Sequence, residues 1–344
     1  MEKLTQNKCK KNSGIWVAAV ILIVATFIIS ICVGRYQISP ENVVKSILQG
    51  LFGIDLGMSK ADIAIIMNNR LPRAVAGTLV GAALAMSGCA FQGLFQNPLV
   101  SQGILGVSSG AGFGAALSIL IFGSTLFTPG FAFIFGLAAV GLSFLVAKMC
   151  GEVTTLMLVL GGTIISSIFS ALLSFIKFVA DPYNELASII FWNMGSLASI
   201  ESKSFIFAAI AMLIGIILLL AFSWMINVLS MGEIEAKSMG LNTLLAKVII
   251  VAGATLATGG AVSIAGSIGW VGLIIPHMAR FIVGSDNRKL VPFSMLLGAG
   301  FMILIDTLCR TITGSEIPLG IMTSLIGGPF FIYLLRRYKG GGFR

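Results

Sequence analysis

Long windows without a charged side chain set the pattern of this chain. Residues 12–34, 74–147, 204–232, 248–279 and 317–335 contain no Asp, Glu, Lys or Arg. A helix that crosses a bilayer takes about 20 apolar residues, so several windows hold one span and the second holds about three. The pattern places ten spans, over 14–34, 72–94, 99–122, 131–149, 154–178, 204–226, 244–264, 267–283, 290–309 and 317–335. The fold class that follows is an all-α polytopic membrane protein. It forms a single membrane domain over residues 1–344, with a tail at 1–13, a polar loop at 229–243 and a tail at 336–344. The first apolar stretch follows a basic segment, as in a signal peptide. It ends in Ile31-Cys32-Val33-Gly34 with no Ala-x-Ala cleavage signal, so it is expected to stay as the first helix.

Composition supports this reading. Hydrophobic residues are 57% of the chain and charged residues 10%, against about 25% charged in soluble domains. The formal charge of +9 does not signal nucleic acid, because the basic residues lie scattered at helix ends with no basic face. They report topology. With the N-terminus inside, 14 of the 22 basic residues fall on the cytoplasmic side and 8 (Arg35, Lys45, Lys60, Arg70, Arg73, Lys177, Lys203 and Arg310) outside, the sign expected of inner loops. Both termini are then cytoplasmic. Cys9, Cys32, Cys89, Cys150 and Cys309 show no metal-like spacing and read as small hydrophobes.

A weak internal repeat is visible. Residues 81–88 (GAALAMSG) align with 259–266 (GGAVSIAG), each followed by an aromatic, a Gly-Leu pair and a proline. In the predicted topology the two copies run in opposed directions, a common plan of transporters that places the pathway near the repeat interface.

Few residues carry chemistry. Arg70-Leu-Pro-Arg73 forms an outward-facing cationic pair at the mouth of the second span, suited either to anchoring a helix end or to an acidic partner. Arg310 has the same two readings. Asp306 is the one acid placed inside a span and stands one turn from Arg310, positioned for an i,i+4 pair. Residues 229–240 (LSMGEIEAKSMG) read as a short amphipathic helix bounded by Gly232 and Gly240, with Glu233, Glu235 and Lys237 exposed. Such a loop can dock into a groove of another protein. His277 is the single histidine and builds no metal site alone. Gly106-Val-Ser-Ser-Gly110 matches G-x-S-x-G without the strand, turn and helix that give the motif meaning. No P-loop is present. The scarcity of intramembrane acids argues against an ion-coupled secondary transporter, and the lone histidine against an intramembrane serine hydrolase.

Seven segments, in this order, resemble the iron-siderophore/haem/cobalamin permease family of ABC importers almost end to end. They are RLPR (70–73), GAALAMSGCAFQGLFQNPLV (81–100), LGVSSGAG (105–112), FWNMGSL (191–197), GEIEAKSMGL (232–241), GSIGWVGLIIPHMAR (266–280) and EIPLGIMTSLIGGPFFIYLL (316–335). The resemblance implies the type II ABC importer permease fold and a homodimer. It also implies two separate cytoplasmic ATPase subunits that use the ATP, an extracytoplasmic binding protein that delivers the ligand, and residence in the bacterial cytoplasmic membrane. The ligand it implies is an iron-siderophore or related metal chelate, with haem or cobalamin as alternatives. It implies no enzyme activity and no cofactor in this chain. By the same resemblance, Arg70, Arg73 and Arg310 receive acids of the binding protein. Gly232, Glu233, Glu235, Ala236 and Gly240 belong to the coupling loop against the ATPase, and Thr154-Thr155 to a cytoplasmic gate. The family usually has a proline just after Asn-Pro-Leu where this chain has Val100-Ser101-Gln102, so a softer helix break is expected there.

Overall fold

The computed structural model describes residues 2–338 apart from 35, 124, 152 and 199. Among the basic positions used above, Arg35, Lys339 and Arg344 lie outside the described residues, as do the side chains of Lys3, Lys8, Lys10, Lys11 and Arg337. In chain order the helices are α1 (Glu2–Cys32), α2 (Pro40–Phe52), α3 (Lys60–Ile65), a π turn (Ile66–Arg70) and α4 (Leu71–Leu94). There follow α5 (Val107–Phe122), α6 (Thr128–Met149), α7 (Thr155–Val179), α8 (Glu185–Met194) and α9 (Ser202–Ala221). The rest are α10 (Ser223–Leu229), α11 (Glu233–Ser238), α12 (Thr243–Ala265), α13 (Val271–Val283), α14 (Asn287–Thr311) and α15 (Leu319–Tyr338).

Each predicted span has a helix. Among the described residues, seven helices are long and apolar enough to cross a membrane, and three shorter apolar ones lie at Val107–Phe122, Val271–Val283 and Leu319–Leu334. The differences from the expected boundaries have local causes. The first tail is not separate, since α1 begins at Glu2. The span expected over 99–122 becomes helical only at Val107. Between Leu94 and Val107 the chain turns repeatedly, with Gln96 at φ 50° and Gly106 at φ 88°. The break is therefore wide without the proline, and the expectation of a softer one is corrected. The span expected over 204–226 bends at Phe222 into α10. Two short amphipathic helices, α2 and α8, escaped the hydropathy pattern because neither is long enough to register.

The centre is built on small residues. In the most apolar 18 residues of the stretch ending at Leu94, 83% are buried, against 22% within Gly14–Cys32 of α1 and 28% within α7, which face outward. Glycine lets backbones meet there: a Cβ on Gly88 would stand 1.9 Å from the Gly272 carbonyl oxygen, and one on Gly81 would stand 2.2 Å from that of Gly298. Helices in a membrane associate through close packing of this kind, since hydrophobicity alone does not drive them together. The two copies of the repeat differ in their breaks. The first stays helical to Leu94, while the second stops at Gly266 (φ 69°) and restarts after Trp270 (φ 68°).

Candidate functional site

Three parts of the molecule hold the residues singled out from sequence. At one end, the three arginines are taken up by internal bonds. Arg70 is 4% exposed. Its Nη1 donates to the carbonyls of Ile31 (2.8 Å) and Cys32 (3.0 Å), and its Nη2 to that of Tyr36. It caps the C-terminus of α1, where backbone carbonyls have no partner in their own helix. Arg73 is 5% exposed and reaches elsewhere. Its Nε and Nη2 grip Asp306 at 2.8–3.0 Å, and its Nη1 meets Glu316 at 3.0 Å. Arg310, 7% exposed, donates to the Ser30 carbonyl and to Ser30 Oγ at 2.8 Å. The expected outward-facing pair is thus corrected: the open carbonyls at the end of α1 take up Arg70 and the Asp306 and Glu316 carboxylates take up Arg73, so both guanidiniums are buried on internal partners. The Asp306–Arg310 pairing is also secondary, at 3.8 Å, because Arg73 from α4 reaches the carboxylate first.

At the opposite end the polar loop folds as α11, with Gly232 at φ 128° and Gly240 at φ 81° turning the chain on each side. These angles are open to glycine and strained for other residues. Ala236 is fully buried beneath the helix, while Met231, Ile234 and Met239 are 63%, 78% and 63% exposed. Glu235 and Lys237 face outward as expected. Glu233 does not. It turns inward to pair with Lys247 of α12 at 2.7 Å, and its Oε1 accepts from Thr155 N–H at 3.1 Å. Lys247 is 2% exposed and also donates to the Val153 carbonyl at 2.7 Å. Thr154 caps α7 by accepting from Met157 N–H at 3.2 Å. The ion pair between the partly exposed Glu233 and the buried Lys247 joins α11 to α12, and their bonds to the Thr155 amide and the Val153 carbonyl carry the link to the start of α7.

Burial acts to raise the Glu233 carboxyl, but the bonds from Lys247 and the Thr155 amide outweigh it, and the net effect is a pKa below the usual carboxylate value. Lys247 was not picked out from sequence. Its signal was a lysine one turn inside an apolar helix. A second tie at this end joins α10 to α14, where Asn227 donates to Asp286 at 2.6 Å and accepts from Asn287 N–H at 2.7 Å.

Between the two ends runs a face of hydroxyls. Thr163, Ser167, Ser170 and Ser174 recur at spacings of four, three and four along α7 and are exposed. Thr163 and Ser167 border a cavity of about 540 Å3 with Ser101, Ser108, Ser166 and Ser267. Thr163, Ser167 and Ser174 donate back to carbonyls of their own helix at 2.8–2.9 Å, leaving oxygen lone pairs outward. His277 is 3% exposed, its Nε2 2.9 Å from the Pro98 carbonyl, which fits the packing role expected of it. Among the described residues, no group of three or more His, Cys, Asp or Glu is placed to hold a metal ion.

Residues 21–337 match the FecCD transport family. The chain is 39% identical over 327 residues to the molybdate import system permease protein of Haemophilus influenzae, covering 94% of this chain and 95% of that one. It is 40% identical over 276 residues to a protein of Helicobacter pylori named as a probable iron chelatin transport system permease, covering 80% and 83%. A solved ABC transporter assigned to the metal-chelate type, in an inward-facing conformation, superposes with a TM-score of 0.83 at 38% identity over 94% of this chain and 99% of that one. A membrane fold of packed apolar helices, a short loop helix protruding at one end and a match across nearly the whole length agree: the chain belongs to the FecCD transport family and is a multi-pass permease of an ABC importer.

Proposed function

We propose that this permease imports an iron chelate in the bacterial cytoplasmic membrane, as a homodimer served by two cytoplasmic ATPase subunits and an extracytoplasmic binding protein. The observation that carries the working end is α11. Met231, Ile234 and Met239 give it an apolar knob for an ATPase groove, and Glu233 ties that knob to Lys247 and to the start of α7. Thr154 and Thr155 then act as the gate: when the ATPases close on ATP, α11 moves, and the N-terminus of α7 moves with it. The α7 faces of two copies enclose the pathway, whose hydroxyls offer many weak contacts and no charge, so that cargo is passed on and not retained. The binding protein seats at the arginine end. With Arg70, Arg73 and Arg310 at 4%, 5% and 7% exposure, their part there is to fix the platform and its positive potential. Hydrolysis belongs to the partner subunits, and this chain needs no cofactor of its own.

An iron chelate is favoured by the similarity to the Helicobacter pylori permease and to the metal-chelate type transporter. A molybdate-like oxyanion is the second reading, favoured by the Haemophilus influenzae relative, which matches more of the chain. Haem and cobalamin are the remaining alternatives. The test is uptake by the reconstituted importer of a ferric hydroxamate, haemin, cobalamin and molybdate, each with its binding protein. Import of the ferric hydroxamate with ATP, and not with an ion gradient alone, supports the proposal. Import of molybdate alone overturns the ligand, and gradient-driven uptake without ATPase overturns the mechanism.

A further inference from the structure

A large cavity lies apart from the hydroxyl face. It encloses about 720 Å3 where the last turns of α6 meet α11 and the first turns of α12. Lys148 and Lys237 stand exposed at its rim, and Lys247, paired with Glu233, lies in its wall. Among the described residues that line it, three lysines stand with one glutamate. Phe144 and Val248 close its far side, and these same two residues open a second groove of about 360 Å3. That groove continues between α6 and α12 past Val140, Leu137, Val251 and Leu256, almost entirely apolar.

The two spaces together have the shape of an amphiphile. Lys148 and Leu137 are eleven residues apart on α6, about 16 Å at the helical rise of about 1.5 Å per residue. One leaflet of a bilayer has a hydrocarbon depth of about 15 Å, half of the usual core of about 30 Å. A soluble anion would use the lysines and leave the groove unfilled. A neutral lipid would use the groove and leave the lysines unmatched. We propose that an anionic phospholipid binds here, its phosphate on Lys148 and Lys237 and one acyl chain laid along the α6–α12 groove. Lysines beside an anionic headgroup gain electrostatic energy at the membrane surface, and their stems lie along apolar walls. The bound headgroup would sit beside the Glu233–Lys247 pair, so the lipid borders the element that ties α11 to α7.

The test uses the purified full-length permease, with lipid retention read by native mass spectrometry against added phosphatidylglycerol, phosphatidylcholine and inorganic phosphate. Wild type is expected to retain phosphatidylglycerol over phosphatidylcholine. Lys148→Gln/Lys237→Gln should lower that preference by about thirtyfold, while the Glu233–Lys247 pair stays in place. Gly141→Leu, at a position where an added Cβ meets nothing within 4 Å, should fill the groove without a clash and lower retention of both lipids. Equal retention of the two lipids by wild type overturns the proposal, as does retention unchanged in both variants. Displacement of phosphatidylglycerol by inorganic phosphate at comparable concentration overturns it in favour of a soluble anion.

Discussion

The two ends of this permease use buried charge in opposite ways. At the arginine end, Arg73, Asp306, Glu316 and Arg310 link α4 to α14 and to the segment after it, and Arg70 seals the end of α1. The charges there join long helices that also pack along their lengths, so the network stiffens what packing already holds. At the α11 end, one pair, Glu233–Lys247, holds a six-residue helix that buries little besides Ala236. There the charge is the main tie between a protruding element and the helix it would move. Similar chemistry makes a brace at one end and a linkage at the other, and the size of the attached element decides which.

Substitutions should separate the two roles. The largest effect is expected from Asp306→Ala, which takes the buried carboxylate from Arg73 and leaves it only the partly exposed Glu316. Leaving a buried charge without its partner costs about 3–5 kcal/mol, so folded yield and thermal stability should fall sharply. Retained stability would show that the network is not a brace. Ile234→Glu should leave stability unchanged, because Ile234 is 78% exposed, but should abolish capture of the ATPase subunits in pull-down. Unaltered capture would remove the knob from the interface. Thr163→Val keeps the volume and removes one exposed hydroxyl of the α7 face. It should slow transport a few-fold with normal assembly, and no change would separate that face from the pathway.

The smallest effect is that of pH on the linkage. The Glu233 carboxyl lies below its ordinary value in the fold, so the pair contributes above the unfolded carboxylate pKa of about 4.3 and is lost as pH falls through the lower folded value. Coupling of hydrolysis to transport should therefore be flat from about pH 8 to 5, and a loss within that range would contradict the assignment.

Sequence carried the fold class and the helix positions because hydropathy is a local signal: each apolar window became a helix, and Gly232 and Gly240 marked the turns around α11. It did not carry the direction of side chains. Arg70 and Arg73 looked like an exposed pair because nothing local says that the last carbonyls of α1 and the Asp306 carboxylate, more than two hundred positions from Arg73, lie within reach. Glu233 looked exposed for the same reason, its partner lying on the next long helix. Charge in a loop was legible, and the distance over which it paired was not. Residues 99–106 read as helix because their apolar side chains resemble one, while the break there depends on backbone angles at Gln96 and Gly106.

The most direct measurement is the number of ATP molecules hydrolysed per ligand imported by the reconstituted importer, wild type against Lys247→Met. Methionine fills much of the lysine's volume and removes the pair, while Glu233, about a quarter exposed, can turn to water. The account predicts that the ATPase subunits still assemble and hydrolyse ATP, while import falls and the ratio rises several-fold. An unchanged ratio at normal assembly would contradict the claim that this pair ties α11 to the start of α7.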